Sequence, residues 1–399
     1  MEAVMYGGGK IGRGFITQLF NLSGYHTTFV DVMDKTVSEL NTNHCYNLYI
    51  TDGDDYKKTV IDNVSAVDGK NPEAVAQAIA NADIMATAVG VNILPKVASP
   101  IALGVKLRMK LNKGPLNIIV CENKIDANVY LQGMVASYLN DEEKNYFENN
   151  FGFVEASIGR MVPVTPKEIS DKEPLAVCVE PFNQLPVDKN AFKGTIPHLV
   201  NLVPYSPFEL FIERKLYMHN MSHAVCAYLG NLMGYEYIWQ AIADKRIRYI
   251  TIFALIQSAQ ALALYHNADL KELIDFSFDL ISRYDNKLLK DTVARVGNDT
   301  QRKLSSLDRI PGAIKRARQY GLSYNFICCG LAAGLLFAPR GDESSIELAE
   351  FTAQNGVKAA LWKYSDITDE EIISQTEKIY NLLKNDPDKT LDDIVCTKL

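Results

Sequence analysis

The feature that most limits what this chain can become lies near its start, where Gly7-Gly8-Gly9-Lys10-Ile11-Gly12 follows the short apolar run Ala3 to Tyr6. Glycines spaced G-x-G-x-x-G behind a strand and ahead of a helix fix a tight βα turn. Gly7 permits the turn itself. With no side chain at Gly9 the backbone can approach a pyrophosphate, and Gly12 lets the next helix pack close to the strand. That helix is expected to run to about Leu22 and to end at Ser23-Gly24. Its N-terminus, reached through Lys10 and Ile11, would face the phosphates with the positive end of its dipole. Asp31 ends the second predicted strand about 20 residues further on, where a carboxylate can accept hydrogen bonds from both ribose hydroxyls of a dinucleotide. A carboxylate there also repels a 2′-phosphate. NAD is therefore expected over NADP, although Lys10, Arg13 and Lys35 stand near enough in sequence to favour the phosphorylated cofactor. The bland alternative, a glycine turn beside a solvated aspartate, needs strand, helix and acid to coincide by chance.

The first half continues in the same style. Short β-branched runs at Thr27 to Val32, Ile84 to Val89 and Leu116 to Cys121 alternate with helical stretches, the pattern of a sheet built from βαβ units. Between them, Tyr46 to Val64 holds two strand-like runs around Asp52-Gly53 and predicts an inserted hairpin at a sheet edge. From Glu155 to Gly194 prolines recur, with extended runs such as Leu175 to Val179, as if leading out of the nucleotide domain. Beyond Ser206 only helical periodicity remains, in Pro207 to Leu229, Ile250 to Tyr265 and Asp269 to Arg283. The expected architecture is α/β: a Rossmann-type doubly wound sheet with an inserted hairpin over residues 1–195, then a mostly α-helical domain over 196–399. The active site is expected in the cleft between the two.

Composition narrows the function classes. A net charge of −7 gives no general attraction to nucleic acid. The longest apolar run, Phe326 to Pro339, is shorter than the roughly 20 residues of a bilayer-spanning helix. No signal peptide is expected either, because a strand follows Met1 almost at once. The seven cysteines are scattered without a CxxC spacing, which suits reduced thiols in the cytoplasm.

A second group of polar residues lies in the helical half, within Glu213-Arg214-Lys215-Leu216-Tyr217-Met218-His219-Asn220-Met221-Ser222-His223. At about 100° per residue, Lys215, His223 and Asn220 fall near 0°, about 80° and about 140°, one polar arc that can line a cleft. Hydride transfer from an alcohol needs a base for the hydroxyl proton, and a lysine serves if its surroundings lower its pKa. Asn220 can hold the oxygen that becomes a carbonyl, and His223 a substrate hydroxyl. The alternative is a solvated face of Glu213, Arg214 and Lys215 with His223 in the core. His219 and His223 also have the i, i+4 spacing of a zinc pair, but neither the HExxH glutamate nor a cysteine cluster accompanies them, so no metal is expected.

With these motifs in view, the chain resembles the polyol-specific long-chain dehydrogenases of the mannitol dehydrogenase family along essentially its whole length. The likeness rests on Ile11-Gly12-Arg13-Gly14-Phe15, Thr87-Ala88-Val89-Gly90, Pro115 to Asn123, Glu213-Arg214-Lys215-Leu216 with Asn220 and His223, and Arg302-Lys303-Leu304-Ser305 with Asp308-Arg309. The resemblance implies that Lys215 is the general base without a metal. It further implies that Asn220 and Asn123 polarise the reacting oxygen, and that Val89, Gly90 and Asn123 border the cofactor. Independently, Asn123 follows the C-terminal end of a parallel strand, where open α/β sheets bind ligands; a helix N-cap is the competing reading. Two positions depart from the family pattern: Gly159 stands where an acid commonly precedes Arg160, and Asp126 where a base is common.

The expected reaction is reversible hydride transfer between NAD and a secondary alcohol of a small sugar-alcohol phosphate, D-mannitol 1-phosphate giving D-fructose 6-phosphate. A phosphate would find partners in Arg302, Lys303 and Arg309, with Arg295 close by, since guanidinium groups match phosphate oxygens. The alternatives are a dehydrogenase of free polyols or hexuronates, sharing the lysine pattern, and a non-catalytic NAD-sensing protein. By family likeness alone, a monomer is expected.

Overall fold

The structure, a computed structural model, describes residues 1–397. It divides into two compact units, Met1–Glu209 and the chain from Leu210 onward. In the first, the strands are β1 (Glu2–Tyr6), β2 (His26–Asp31), β3 (Tyr46–Asp52), β4 (Asp55–Ile61), β5 (Val64–Asp68), β6 (Ile84–Thr87), β7 (Leu116–Val120), β8 (Phe151–Glu155), β9 (Val177–Val179), β10 (Leu185–Asp188) and β11 (Leu202–Tyr205). Six of them form one parallel sheet in the order β5-β2-β1-β6-β7-β8. Counted within this sheet the order is 3-2-1-4-5-6, the doubly wound arrangement whose switch point lies between β1 and β6. The C-terminal ends of β1, β6 and β7 thus sit side by side there.

Both faces of the sheet are buried, as the near-continuous apolar strands require. Ala3, Met5, Ile84, Ala86 and Ile119 point into one core with Phe15, Leu19 and Phe20 of the first helix. Val4, Tyr6, Met85, Ile118 and Val120 point into the other, against Val97, Ile101 and Val105 of the helix Leu94–Lys110 and Leu131 of the helix Ala127–Ala136.

Two expectations are corrected. The hairpin β3–β4 forms, but not at the edge of the main sheet: β3 pairs in parallel with β9, making a separate three-stranded sheet. The edge beside β2 is already taken by β5, and Tyr46 and Leu48 of the hairpin join Leu175, Val177 and Val179 in the core next to the first helix. The first unit also extends beyond residue 195. β11 pairs in parallel with β10, and Val200 N–H donates to Ser23 Oγ at 2.9 Å, so this backbone belongs to the nucleotide domain.

The second unit is helical in its described residues, and its centre is the helix Lys245–His266. That helix is long and apolar enough to cross a membrane by length and composition. Here it lies at the heart of the bundle, against the helices Met221–Leu232, Leu270–Tyr284, Arg309–Gln319 and Asn325–Gly334. Ile247, Ile250, Ala254, Leu255 and Leu262 are fully buried along it.

Candidate active site

At the C-terminal end of β1 the glycines separate into two kinds. A Cβ on Gly12 would fall 2.0 Å from the Gly7 carbonyl oxygen, and one on Gly7, whose φ is +105°, would fall 2.4 Å from that of Ala88. These two are fixed by the protein's own backbone. Gly9 is different: a Cβ there would meet nothing within 4 Å, so the protein's own packing does not require a glycine and the backbone is open to approach. The turn passes into a π-helix, Gly12–Ile16. Arg13 braces it from behind, donating from Nε to Gly8 O at 2.7 Å and from its guanidinium to Leu175 O. Arg13 is therefore committed to the fold rather than to a 2′-phosphate, and the side chain of Lys35 lies 3.9 Å from Glu39.

Asp31 is held by two backbone donors, Gly8 N–H to Oδ2 at 2.8 Å and Met33 N–H to Oδ1 at 2.9 Å. Its carboxylate keeps lone pairs for further donors. The bridge also ties the end of β2 to the glycine turn.

Glu122, to which sequence reading gave no role, organises the neighbouring loops. Its carboxylate, 8% exposed, accepts from Val89 N–H and Gly90 N–H at 2.8 Å each, joining the ends of β6 and β7. The signal available was an acid directly after a fully apolar strand, where burial demands a partner. Asn123 follows it on the exposed loop at the end of β7. The next helix begins only at Ala127 with Asp126 as its N-cap, in the left-handed region at φ 56°, so Asn123 is not that cap. Asp126 acts on Glu155 at the end of β8: burial raises the Glu155 pKa and Asp126, Asp188 and Glu209 add to it, against a backbone hydrogen bond from Asp126.

Gly159 puts no acid directly before Arg160, whose guanidinium is met instead by Gly14 O, Gln18 Oε1 and the residue after β9. Arg160 is buried and donates to the Glu180 carbonyl from Nε at 2.9 Å and Nη2 at 2.7 Å. Burial lowers its pKa to about 10, opposed by the charge of Glu180, whose carboxylate in turn accepts from Met161 N–H.

In the second unit the Lys215 segment is not an ordinary helix. Residues Arg214–Asn220 are a π-helix, closed by Met221 N–H donating to Leu216 O, and α-geometry resumes in the helix Met221–Leu232. Residues five apart lie one π turn apart. Lys215 and Asn220 thus share a face, closer than the α-helical estimate placed them, with His223 one short step along. The flanking residues are not a solvated face either. Glu213 accepts from Arg316 and lies 3.0 Å from His266 Nε2, while Arg214 is sandwiched between Phe211 and Phe276 at 4.2 and 4.3 Å.

His223 stacks on Tyr284 with ring centroids 4.8 Å apart and planes 9° from parallel. Burial, then the charges of Arg295, Arg309, Lys303 and Arg283, push its pKa down to about 3. Its Nε2 lies 3.3 Å from Asp291 Oδ2 but outside hydrogen-bonding geometry. With the ring neutral, that approach is not an ion pair.

The basic group expected around residue 302 divides. Arg302 donates to Asp299 at 2.6 Å and Arg309 to Asp308 at 2.8 Å, and Arg295 pairs with Asp291. Lys303 is buried rather than part of a solvated basic surface. It is 5% exposed, and Nζ donates to Val296 O and Asn298 Oδ1 at 2.8 Å each. Burial, with Arg309 and Arg302 near it, lowers its pKa to about 7.

A doubly wound nucleotide domain followed by a helical domain is the architecture of a two-domain dinucleotide-dependent oxidoreductase. The Rossmann domain of mannitol dehydrogenases matches residues 1–201, and the C-terminal domain of mannitol dehydrogenases matches residues 208–384. The chain belongs to the mannitol dehydrogenase family. A D-sorbitol dehydrogenase in substrate-free form is similar over 98% of this chain and 94% of its own, with TM-score 0.81 and 17% identity. The mannitol 2-dehydrogenase of Pseudomonas fluorescens, in a ternary complex with NAD and D-mannitol, is similar over 99% and 94%, with TM-score 0.71 and 16% identity.

Proposed function

We propose that the protein is an NAD-dependent dehydrogenase of a sugar-alcohol phosphate, interconverting D-mannitol 1-phosphate and D-fructose 6-phosphate with Lys215 as general base. What supports the chemistry is the π turn over Arg214–Asn220, which joins residues five apart, together with the neutral, buried His223 three residues further on. The observation that carries the cofactor is the open space over Gly9 next to the doubly anchored Asp31. Bound NAD supplies the hydride acceptor. Lys215 takes the hydroxyl proton of the substrate, and the amides of Asn220 and Asn123 donate to the oxygen as it becomes a carbonyl. His223 Nε2, buried without a hydrogen-bond partner, is left for a substrate hydroxyl. Arg302 and Arg309, with Arg295 and Lys303 adding positive charge, take the phosphate.

A free polyol is the second reading. It is favoured by the aspartates that already pair Arg295, Arg302 and Arg309, and by Asp126 standing at the end of β7 where a base would be wanted. NADH oxidation with fructose 6-phosphate beside fructose and tagaturonate separates the substrates. Lys215→Ala is expected to lower kcat by about 10²- to 10⁴-fold with NADH binding kept. Near wild-type turnover in that variant overturns the mechanism.

A further inference from the structure

We infer that the hydroxyls of Ser258 and Tyr284 are positioning groups that hold residues 214–220 in the π register, and so hold Lys215 and Asn220 on one face. The inference rests on the proposed role of Lys215. A helix that passes from i→i−5 to i→i−4 hydrogen bonding leaves carbonyls at the junction short of backbone donors, and π turns persist where surrounding groups meet that need. At this junction three successive carbonyls accept side-chain hydroxyls. Ser258 Oγ donates to Tyr217 O at 2.6 Å, Ser222 Oγ to Met218 O at 2.7 Å, and Tyr284 Oη to His219 O at 3.0 Å.

Ser222 belongs to the same helix and can make its bond in an α-helix as well. Ser258 and Tyr284 come from two other helices, Lys245–His266 and Leu270–Tyr284, and are 1% and 2% exposed. In an α-helical register the carbonyl of Tyr217 would instead take the N–H of Met221, which here donates to Leu216 O. Ser258 Oγ would then share that carbonyl with a backbone donor, whereas here it supplies the hydrogen bond that the π register takes from Tyr217 O. Ser258 therefore favours the π register directly, and Tyr284, which also meets Ser222 Oγ at 2.9 Å, anchors the turn where α-geometry resumes. The Tyr217 ring adds a third contact fitted to the π form: it lies so close to Gly312 that a Cβ there would stand 2.4 Å from Tyr217 Cε1. In an α register Lys215 and Asn220 would be separated by about 140° around the axis.

The test compares Ser258→Ala and Tyr284→Phe, singly and together, in the full-length protein and in a Lys215→Ala background. Tyr284→Phe keeps the ring that stacks on His223, so it removes the hydroxyl alone. Each single variant is expected to lower kcat roughly ten- to a hundredfold, to displace the acid limb of the kcat–pH profile for alcohol oxidation, and to leave the NADH dissociation constant unchanged. In the Lys215→Ala background the same substitutions are expected to cost markedly less, because the base they position is gone and only Asn220 remains to be displaced. Unchanged kcat and pH profile in Tyr284→Phe, or equal losses with and without Lys215, overturn the inference while leaving Lys215 as base. Full turnover in Lys215→Ala alone removes the proposed mechanism first, and the inference with it.

Discussion

The glycine turn shows how two residues of one type answer to different causes. Gly12 is bare because the Gly7 carbonyl occupies the place of a side chain, whereas Gly9 is bare although nothing in the protein requires it. Gly9→Ala is therefore expected to change folding stability by less than about 1 kcal/mol, since the methyl group meets nothing and the backbone there is not in the left-handed region, while weakening NADH binding by about tenfold or more. Gly12→Ala is expected to lower thermal stability by several degrees, because backbone must move to admit the methyl group. Melting curves and NADH fluorescence titration on both variants check this, and equal loss of affinity with equal loss of stability would falsify the distinction. His223 carries a pH dependence with a definite sign. Its folded pKa of about 3 lies below the ordinary histidine value of 6.5, so between these values the unfolded chain binds the extra proton. The stability of neutral His223 is thus complete above about pH 6.5 and falls as pH drops toward 3. One proton corresponds to a slope of about 1.4 kcal/mol per pH unit. In urea titrations from pH 4 to 7, His223→Asn is expected to show a shallower loss of stability toward acid than the parent, and identical slopes would contradict it.

At the scale of elements, the parts of the site that rest on local sequence rules were readable and the parts that rest on tertiary exceptions were not. β1, β2, the first helix and the acid at Asp31 follow from periodicity and glycine spacing, and the structure has them within a residue or two of the expected ends. The mean helical angle failed at Lys215, because a π turn is imposed by hydroxyls from Ser258 and Tyr284, 41 and 65 residues from the carbonyls they reach. No window of sequence contains that cause. Glu122 was visible as an acid after an apolar strand, yet its partners, Val89 and Gly90 N–H, belong to another crossover. Similarly, the absence of an acid at Gly159 was visible, but not that the residue after β9 would bring its backbone carbonyl to Arg160. Three π segments among the described residues share a setting. One opens from the glycine turn, one carries Lys215, and Leu361–Ser365 ends in Ser365, whose hydroxyl donates to Leu304 O beside Lys303. Each lies at or against a segment that sequence reading had singled out, which agrees with the frequent use of π turns at functional sites.

At the scale of the whole molecule, the limit of the nucleotide domain is a matter of energy as well as description. Both cores of its sheet are built from residues of the first unit, the furthest along the chain being Leu199 and Leu202. A fragment of residues 1–209 therefore contains all of its own apolar contacts and the complete glycine turn, Asp31 and Glu122, and is expected to fold and to bind NADH within about tenfold of the full chain's affinity, without turnover. A fragment ending at 195 loses β11 from the edge of β10, the buried Leu199, and the Val200 N–H bond to Ser23. Burial of one leucine contributes about 1.5–3 kcal/mol, and 1 kcal/mol moves the melting point of a domain this size by about 2–4 °C. The shorter fragment should melt roughly 5–10 °C below the longer one at equal NADH stoichiometry. Calorimetry on the two fragments decides the matter: coincident melting would put the boundary back at 195, and a 1–209 fragment that folds but fails to bind NADH would mean that the glycine turn is not a sufficient cofactor site.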